Sequence, residues 1–356
     1  MDKLIGQPLR RMEDFRLLTG GGNFAADLNR DGQLYASFAR SPHAHGDIIK
    51  LDMARAAASP GVLLVLSGED YTADGLGPLL HNVIGPDHLD ITRPGFTPDD
   101  ILLDPIPEHF PIAKDRVRHV GEIVAMVIAE TPEAAAEAAE RLEIDYAPLP
   151  AVTDARAALE DGAPETWPGG NLVLRADKGD AAAVNEAFAG AAQVIDLGSL
   201  HQRIHGTPVE PRAAVGDFVP ATGRFTLYAP SQGVHRHQMA FMQVFGVEKE
   251  SVRIVTGDVG GGFGVRTPTY SEYALVAWGA KRLGRPVKWT SSRQEMFLSD
   301  FQARDVYVRG RCGLDGDGHI LAVDLDYIGN LGAYPASFAV FANILRMAGG
   351  VYDIPV

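Results

Sequence analysis

Gly260-Gly261-Gly262-Phe263-Gly264 is the densest stretch of potential chemistry in the chain. Backbone N–H groups in a glycine-rich turn can converge on an anion, and glycine lets a ligand approach the backbone closely. The run follows an apolar segment, Val252 to Thr256, and precedes a helical pattern expected from Thr267-Pro268 to about Leu283. A helix N-terminus there would add its own donors. No Gly-Lys-Ser/Thr follows, so it is not a Walker A loop. Val265 stands where Gly-x-Gly-x-x-Gly needs its last glycine. A tight turn without a ligand is the competing reading. Gly20-Gly21-Gly22-Asn23-Phe24-Ala25 formally fits Gly-x-Gly-x-x-Ala, but no strand precedes it and no helix clearly follows, so it reads as a loop.

Histidines pair at His43/His45, His201/His205 and His235/His237. His201-Gln202-Arg203-Ile204-His205 has the spacing of a zinc helix, but Gln202 occupies the place of the general-base glutamate. Structural hydrogen bonding is the expectation for all three pairs. Asp315-Gly316-Asp317-Gly318 starts like a calcium loop yet lacks the third acid and the distant glutamate, so it reads as a turn. Cys312 stands alone: it cannot form an internal disulfide or hold an iron–sulfur cluster. A buried, inert thiol in a reducing cytoplasm is expected.

The elements that must position these residues are read from periodicity. Leu34 to Arg40, Ile48 to Met53 and Val62 to Leu66 read as strands, and Asp52 to Ser59 as a helical turn. Residues 68–115 read as a long surface excursion. Glu122 to Ala129, a helix from Thr131-Pro132-Glu133 to Leu142, and Glu143 to Tyr146 predict a compact strand–helix–strand unit. Residues 150–180 read as a linker. Beyond it, strands are expected at Gln193 to Gly198, Ala213 to Val219, Phe225 to Ala229, Val252 to Thr256 and Val287 to Thr290. His235 to Phe245 reads as a helix capped by Gly246. Asp305 to Cys312 and Ile320 to Tyr327 pair as a hairpin.

The 356 residues suit two domains of about 150 residues or more. Hydrophobic residues at 46% supply real cores. A net charge of −14 argues against tracking nucleic-acid phosphates or anionic membranes. No window approaches a membrane span, and Met1 to Gly6 lacks the apolar region of a secretion signal. The chain stops at Val351-Tyr352-Asp353-Ile354-Pro355-Val356, in what reads as mid-element. Residues alone thus imply a two-domain α/β protein with an anion-binding loop.

Taken in order, the motifs resemble the molybdopterin-binding large subunit of the molybdenum hydroxylases, the family of xanthine dehydrogenase, aldehyde oxidoreductase and aerobic carbon monoxide dehydrogenase. Ile5-Gly6, Arg11-Met12-Glu13-Asp14 and Leu17-Leu18-Thr19-Gly20 resemble its opening. Tyr35 to His45 (YASFARSPHAH) resembles its next stretch, and Val120-Gly121-Glu122 through Pro148-Leu149-Pro150 the end of its a/b hammerhead domain. His205-Gly206-Thr207-Pro208-Val209-Glu210-Pro211-Arg212-Ala213 is similar to its His-x-Pro-Met-Glu-Pro run, with Val209 replacing methionine. Ser231-Gln232 and the glycine run complete the set.

The resemblance implies an α+β fold: an a/b hammerhead domain at 1–155 and the first molybdopterin-binding α/β domain at 156–356. It implies that Gln232 donates a hydrogen bond to an oxygen on molybdenum, and that Gly260, Gly261, Gly262, Phe263, Gly264 and Arg266 lie at the cofactor. No residue would ligate the metal directly. The cofactor would be molybdopterin, in bacterial relatives usually the cytosine dinucleotide form. The reaction would be hydroxylation of a carbon centre of a small molecule with water as oxygen source. Electrons would leave through an iron–sulfur small subunit carrying 2Fe-2S clusters and an FAD-binding medium subunit. The family's general-base glutamate and substrate loop lie past the Tyr-x-Ile-Pro pattern, here Tyr352-Asp353-Ile354-Pro355. The expectation is therefore a split or truncated subunit that needs a second molybdopterin-binding polypeptide. The alternatives are a catalytically inactive structural subunit and, more remotely, a nucleotide-binding protein.

Overall fold

The computed structural model describes residues 5–80, 107–336, 344 and 348–356. In chain order the elements are α1 (Asp14–Leu18), β1 (Leu34–Arg40), β2 (Gly46–Asp52), α2 (Ala54–Ala57), β3 (Val62–Ser67), α3 (Gly68–Ala73), β4 (Arg116–Val117), β5 (Ile123–Ala129), α4 (Pro132–Ala139) and β6 (Glu143–Pro148). Then follow α5 (Ala181–Gly190), β7 (Gln193–His201), β8 (Ala213–Val219), β9 (Arg224–Tyr228), α6 (Val234–Phe245), β10 (Val252–Val255), α7 (Ser271–Leu283), β11 (Val287–Thr290), α8 (Arg293–Ser299), β12 (Val306–Leu314) and β13 (Ile320–Gly329).

A seven-stranded mixed sheet in the order β10-β9-β8-β11-β1-β5-β3 forms the centre. It takes strands from both sides of residue 155. Two three-stranded antiparallel sheets, β13-β12-β7 and β4-β2-β6, complete the framework. Helix α7 packs on β8 and β11, and its residues from Glu272 to Ala280 are all buried. The approach is close: a Cβ on Gly216 would lie 2.5 Å from the Ala277 nitrogen. The core joins Phe225, Phe241, Tyr273, Trp278 and Trp289 to Leu34 and Met126 of the N-terminal part.

The predicted strands and the hairpin at 305–327 form where expected. The unit at 122–146 does not assemble as one layer, however. Its two strands, β5 and β6, belong to different sheets. Burial explains why. Every residue of β5 is buried, as a strand covered on both faces must be, whereas β6 alternates. Part of the expected surface excursion at 68–115 is α3, held by a Ser67/Asp70 capping box with Tyr71 in the core. The stretch 81–106 lies outside the described residues. The segment expected as a linker is tied down: Trp167 Nε1 donates to Ala333 O at 2.6 Å, and the Arg118 guanidinium lies 3.5 Å from the Trp167 ring centroid. Helices α5 and α8 have no counterpart in the sequence reading.

His237 sits on α6 with no exposure, its Nδ1 sharing a hydrogen bond of 2.8 Å with Thr269 Oγ1. Burial, aided by Arg236, lowers its pKa from 6.5 to about 4. The unfolded chain therefore takes up a proton near pH 6.5 that the folded interior refuses. Folding stability should fall as pH drops from about 6.5 to about 4, and His237→Gln should flatten that part of a urea-unfolding series.

Candidate cofactor site

β10 ends at Val255, and the chain turns through residues 256–270 before α7 begins at Ser271. The helix expected at Thr267-Pro268 thus starts four residues later. Turns occupy the interval: Val265 N donates to Gly262 O at 3.0 Å and Thr267 N to Gly264 O at 3.1 Å. The donors offered here are loop amides rather than the first turn of a helix. Gly261 and Gly264 take φ values of +116° and +89°, which only glycine adopts readily. Phe263 is held at φ +50° with its side chain 71% exposed, a backbone state that costs energy for a non-glycine residue. Among the described residues, the N–H groups of Gly261, Gly262 and Phe263 have no hydrogen-bond acceptor.

Gln232 lies against this loop. It precedes α6, and its backbone N–H donates to Arg266 O at 3.0 Å. Its side-chain Oε1 accepts from Gly264 N at 2.9 Å and Arg266 N at 3.2 Å. Two backbone donors on one oxygen settle which end of the amide is which. The Nε2 donor is left free at an exposed position. The close fit explains Gly262: a Cβ there would lie 2.6 Å from Gln232 Cδ. Gly262→Ala should push the amide aside while leaving overall stability little changed. Amide hydrogen exchange should then quicken at Gly264 and Arg266, which lose their acceptor.

The run from His205 to Ala213 supports the loop from below. Glu210 Oε2 accepts from Gly260 N at 2.7 Å, and Glu210 N donates to Gly260 O at 3.2 Å. Burial raises the Glu210 pKa, partly offset by the Gly260 and Ala25 amides and by Arg266. A Cβ on Gly261 would lie 3.2 Å from Pro208 Cβ. His205 joins Thr207 through Nδ1 at 3.1 Å and Met296 O through Nε2 at 3.2 Å. His201 ends β7, so the two residues share no helix and the zinc-helix spacing has no structural counterpart.

Arg266 turns its charge into the interior. Its guanidinium is fully buried, donating to Asp300 Oδ2 at 3.1 Å and Glu210 O at 2.6 Å. What it gives the loop is its amide. Beneath it lies an ionic network: Arg212 donates to Asp300 at 2.5 Å and to Glu272 at 2.6 and 3.0 Å, and Arg40 donates to Glu272 at 2.8 Å. Arg212 also lies 3.8 Å from the Tyr270 ring centroid. The network links β1, the residue before β8, α7 and the residue after α8 beneath the glycine loop.

A second contact unseen in the sequence holds the loop's leading edge. Asp258 accepts Arg16 Nη1 and Nη2 at 2.6 and 2.8 Å and Asn23 N at 2.7 Å. The Arg16 hydrogen bond, then the Asn23 amide, hold its carboxyl well below the usual range. The Gly20-Gly21-Gly22 loop is thereby fastened beside the second glycine run, 235 residues away between Asn23 and Asp258. Nothing in local spacing signals that pairing.

The remaining candidates lie apart. His45 Nδ1 is 2.9 Å from Pro150 O, and the His43 ring lies against Tyr146. Asp315 Oδ1 accepts from Asp317 N and His319 N, which makes the expected turn. Cys312 is half-buried within β12.

The open amides of Gly261, Gly262 and Phe263 and the Nε2 of Gln232 form a set of neutral N–H donors. Such a set suits an oxygen- and phosphate-rich ligand, so molybdopterin fits the chemistry of these residues. A family model for a molybdopterin cofactor-binding domain matches residues 165–356. One for the aldehyde oxidase and xanthine dehydrogenase a/b hammerhead domain matches residues 19–89 and 87–150. The fold is thus a hammerhead domain with a molybdopterin-binding domain, and the chain belongs to the molybdenum hydroxylase family. It is 35% identical over 333 residues to the 6-hydroxypseudooxynicotine dehydrogenase complex subunit gamma of Paenarthrobacter nicotinovorans, covering 93% of this chain and 40% of that one. The crystal structure of quinoline 2-oxidoreductase from Pseudomonas putida 86 superposes with a TM-score of 0.79 at 31% identity, covering 92% of this chain and 39% of that one. The nicotinate dehydrogenase large molybdopterin subunit of Eubacterium barkeri is 28% identical, covering 99% of this chain and 77% of that one. This chain spans about two fifths of the length of the first two. No described helix is long and apolar enough to cross a membrane.

Proposed function

We propose that this chain forms part of the molybdopterin-binding subunit of a molybdenum hydroxylase, completed by a second molybdopterin-binding polypeptide. The observation that carries the reading is the locked amide of Gln232. Gly264 and Arg266 hold its Oε1, so Nε2 is presented as a fixed donor beside three open loop amides. A neutral amide can stabilise developing negative charge on oxygen without titrating or becoming a metal ligand.

Gln232, Gly260, Gly261, Gly262, Phe263, Gly264 and the amide of Arg266 would hold the cofactor, in its cytosine dinucleotide form. Glu210 and Arg266 keep the loop in place from below. Phe263 covers one side of the site with apolar surface. When bound, the molybdenum cofactor supplies the two-electron oxidation that couples water oxygen to a substrate carbon. The proton acceptor for that reaction belongs to the second polypeptide. An iron–sulfur subunit and an FAD subunit would carry the electrons on. The half-buried Cys312 stands as the only thiol, which supports placing 2Fe-2S clusters on other chains and the assembly in the cytoplasm. The length of the Eubacterium barkeri relative supports a subunit divided between polypeptides.

Metal analysis of the assembly purified on a tagged copy of this chain tests the proposal. Molybdenum in proportion to the chain is the expected result. An intact assembly free of molybdenum would overturn it in favour of a structural subunit.

A further inference from the structure

β7 is a strand of nine residues, Gln193–His201, and every one of them is exposed. It forms an outer edge of the sheet β13-β12-β7, pairing with β12 along its whole length without a bulge. Among the described residues, no strand pairs with its other side. Alternate residues of such an edge turn unpaired N–H and C=O groups outward. Both faces carry aliphatic side chains. Ile195 and Leu197 are 44% and 68% exposed on one face, and Val194 and Leu200 are 41% and 59% exposed on the other. Leu197 stands opposite Gly310, which has no side chain to cover it.

Solvent-facing edges of soluble proteins are blunted by lysine, proline, bulges or inward charges. β7 has none of these. Its one charge, Asp196, is bound to Arg309 at 2.6 and 3.1 Å and is turned to its neighbour strand. An apolar edge of this length without a guard is a surface that another strand covers.

We propose that β7 is the seam along which the remaining portion of the molybdopterin-binding subunit adds a strand, alternating apolar residues onto both faces of Val194–Leu200. The inference rests on the reading that a second polypeptide completes the subunit. The length of the relatives favours that occupant over a second copy of this chain. About three fifths of the quinoline oxidoreductase chain lies outside the part that this chain covers, so the family possesses polypeptide to fill the seam.

The test compares amide hydrogen exchange of residues 193–201 in the isolated chain and in the assembly purified on a tagged copy. Exchange at alternate β7 amides should slow by at least about tenfold in the assembly. A chain carrying Leu197→Lys and Leu200→Lys, both at exposed positions, should melt like the parent yet retain about tenfold less of a co-purifying polypeptide whose peptide masses match the molybdopterin-binding family. Equal β7 exchange in chain and assembly would overturn the proposal. So would concentration-dependent self-association that protects β7, which would assign the edge to a second copy. If the double variant does not fold, the exchange comparison on the parent chain still decides. Metal content separates the two readings: a protected β7 in an assembly without molybdenum refutes the proposed function and keeps the seam.

Discussion

Arg212→Ala should destabilise the chain by about 3–5 kcal/mol, read as a shift in urea-unfolding midpoint. Arg212 is fully buried and answers two carboxylates at once, Glu272 and Asp300. Its removal leaves each buried carboxylate with one arginine instead of two, Arg40 on Glu272 and Arg266 on Asp300, and strips the hydrogen bonds that Arg212 gave them. The loss exceeds that of a surface ion pair because the low-dielectric surroundings strengthen both the attraction and the desolvation penalty. Arg212→Lys should recover only part of it, since a single ammonium cannot bridge both acids or stack on Tyr270 as the planar guanidinium does. The pH dependence has a defined sign. Burial alone would raise the Glu272 pKa, but Arg212 and Arg40 outweigh it and lower the value from 4.5 to about 2. The stabilisation is complete above about 4.5 and is lost as pH falls toward about 2. In the Arg212→Ala protein the Glu272 carboxyl is less depressed, so the acid-side loss should be smaller and should end at a higher pH.

Gln232→Glu should leave the fold intact and cut the turnover of the assembled enzyme by about 10²–10³-fold. The replacement is nearly isosteric. One carboxylate oxygen can still accept from Gly264 and Arg266, as Oε1 does now. The other oxygen replaces the Nε2 donor with a negatively charged acceptor facing the open loop amides. Circular dichroism and thermal unfolding should match the parent, because Gln232 is exposed and its backbone contact to Arg266 is unaffected. Steady-state kinetics and molybdenum content, measured together, separate weakened cofactor retention from a slower reaction. Unchanged turnover at full metal content would show that the amide's orientation plays no part.

Much of the local structure was legible because its causes are local. Thr131 with Pro132 starts a helix by capping one free amide and filling a position that needs no donor. Gly246 and Gly284 end helices at φ +60° and +63° because a side chain there would be strained. The Ser292/Glu295 capping box that starts α8 was equally available, whereas alanine-rich α5 buries no residue and leaves little periodic trace. The glycine loop was identifiable as an anion-binding candidate, but the helix behind it begins only at Ser271, so the type of donor changed from helix end to loop amide.

The sequence by itself determined the kinds of group available: a glycine loop, one glutamine beside a helix, a family-like run from His205 to Ala213, and a single cysteine. Tertiary structure alone decided what those groups do. It turned Arg266 inward to Asp300, placed Glu210 under Gly260, fastened Arg16 and Asn23 to Asp258, and assigned β5 and β6 to separate sheets. The physical reason is range. Capping, turn formation and periodicity act over a few residues and are written in adjacent positions. The direction of a charge and the orientation of an amide depend on partners 32 to 242 residues away, brought together only when the core closes.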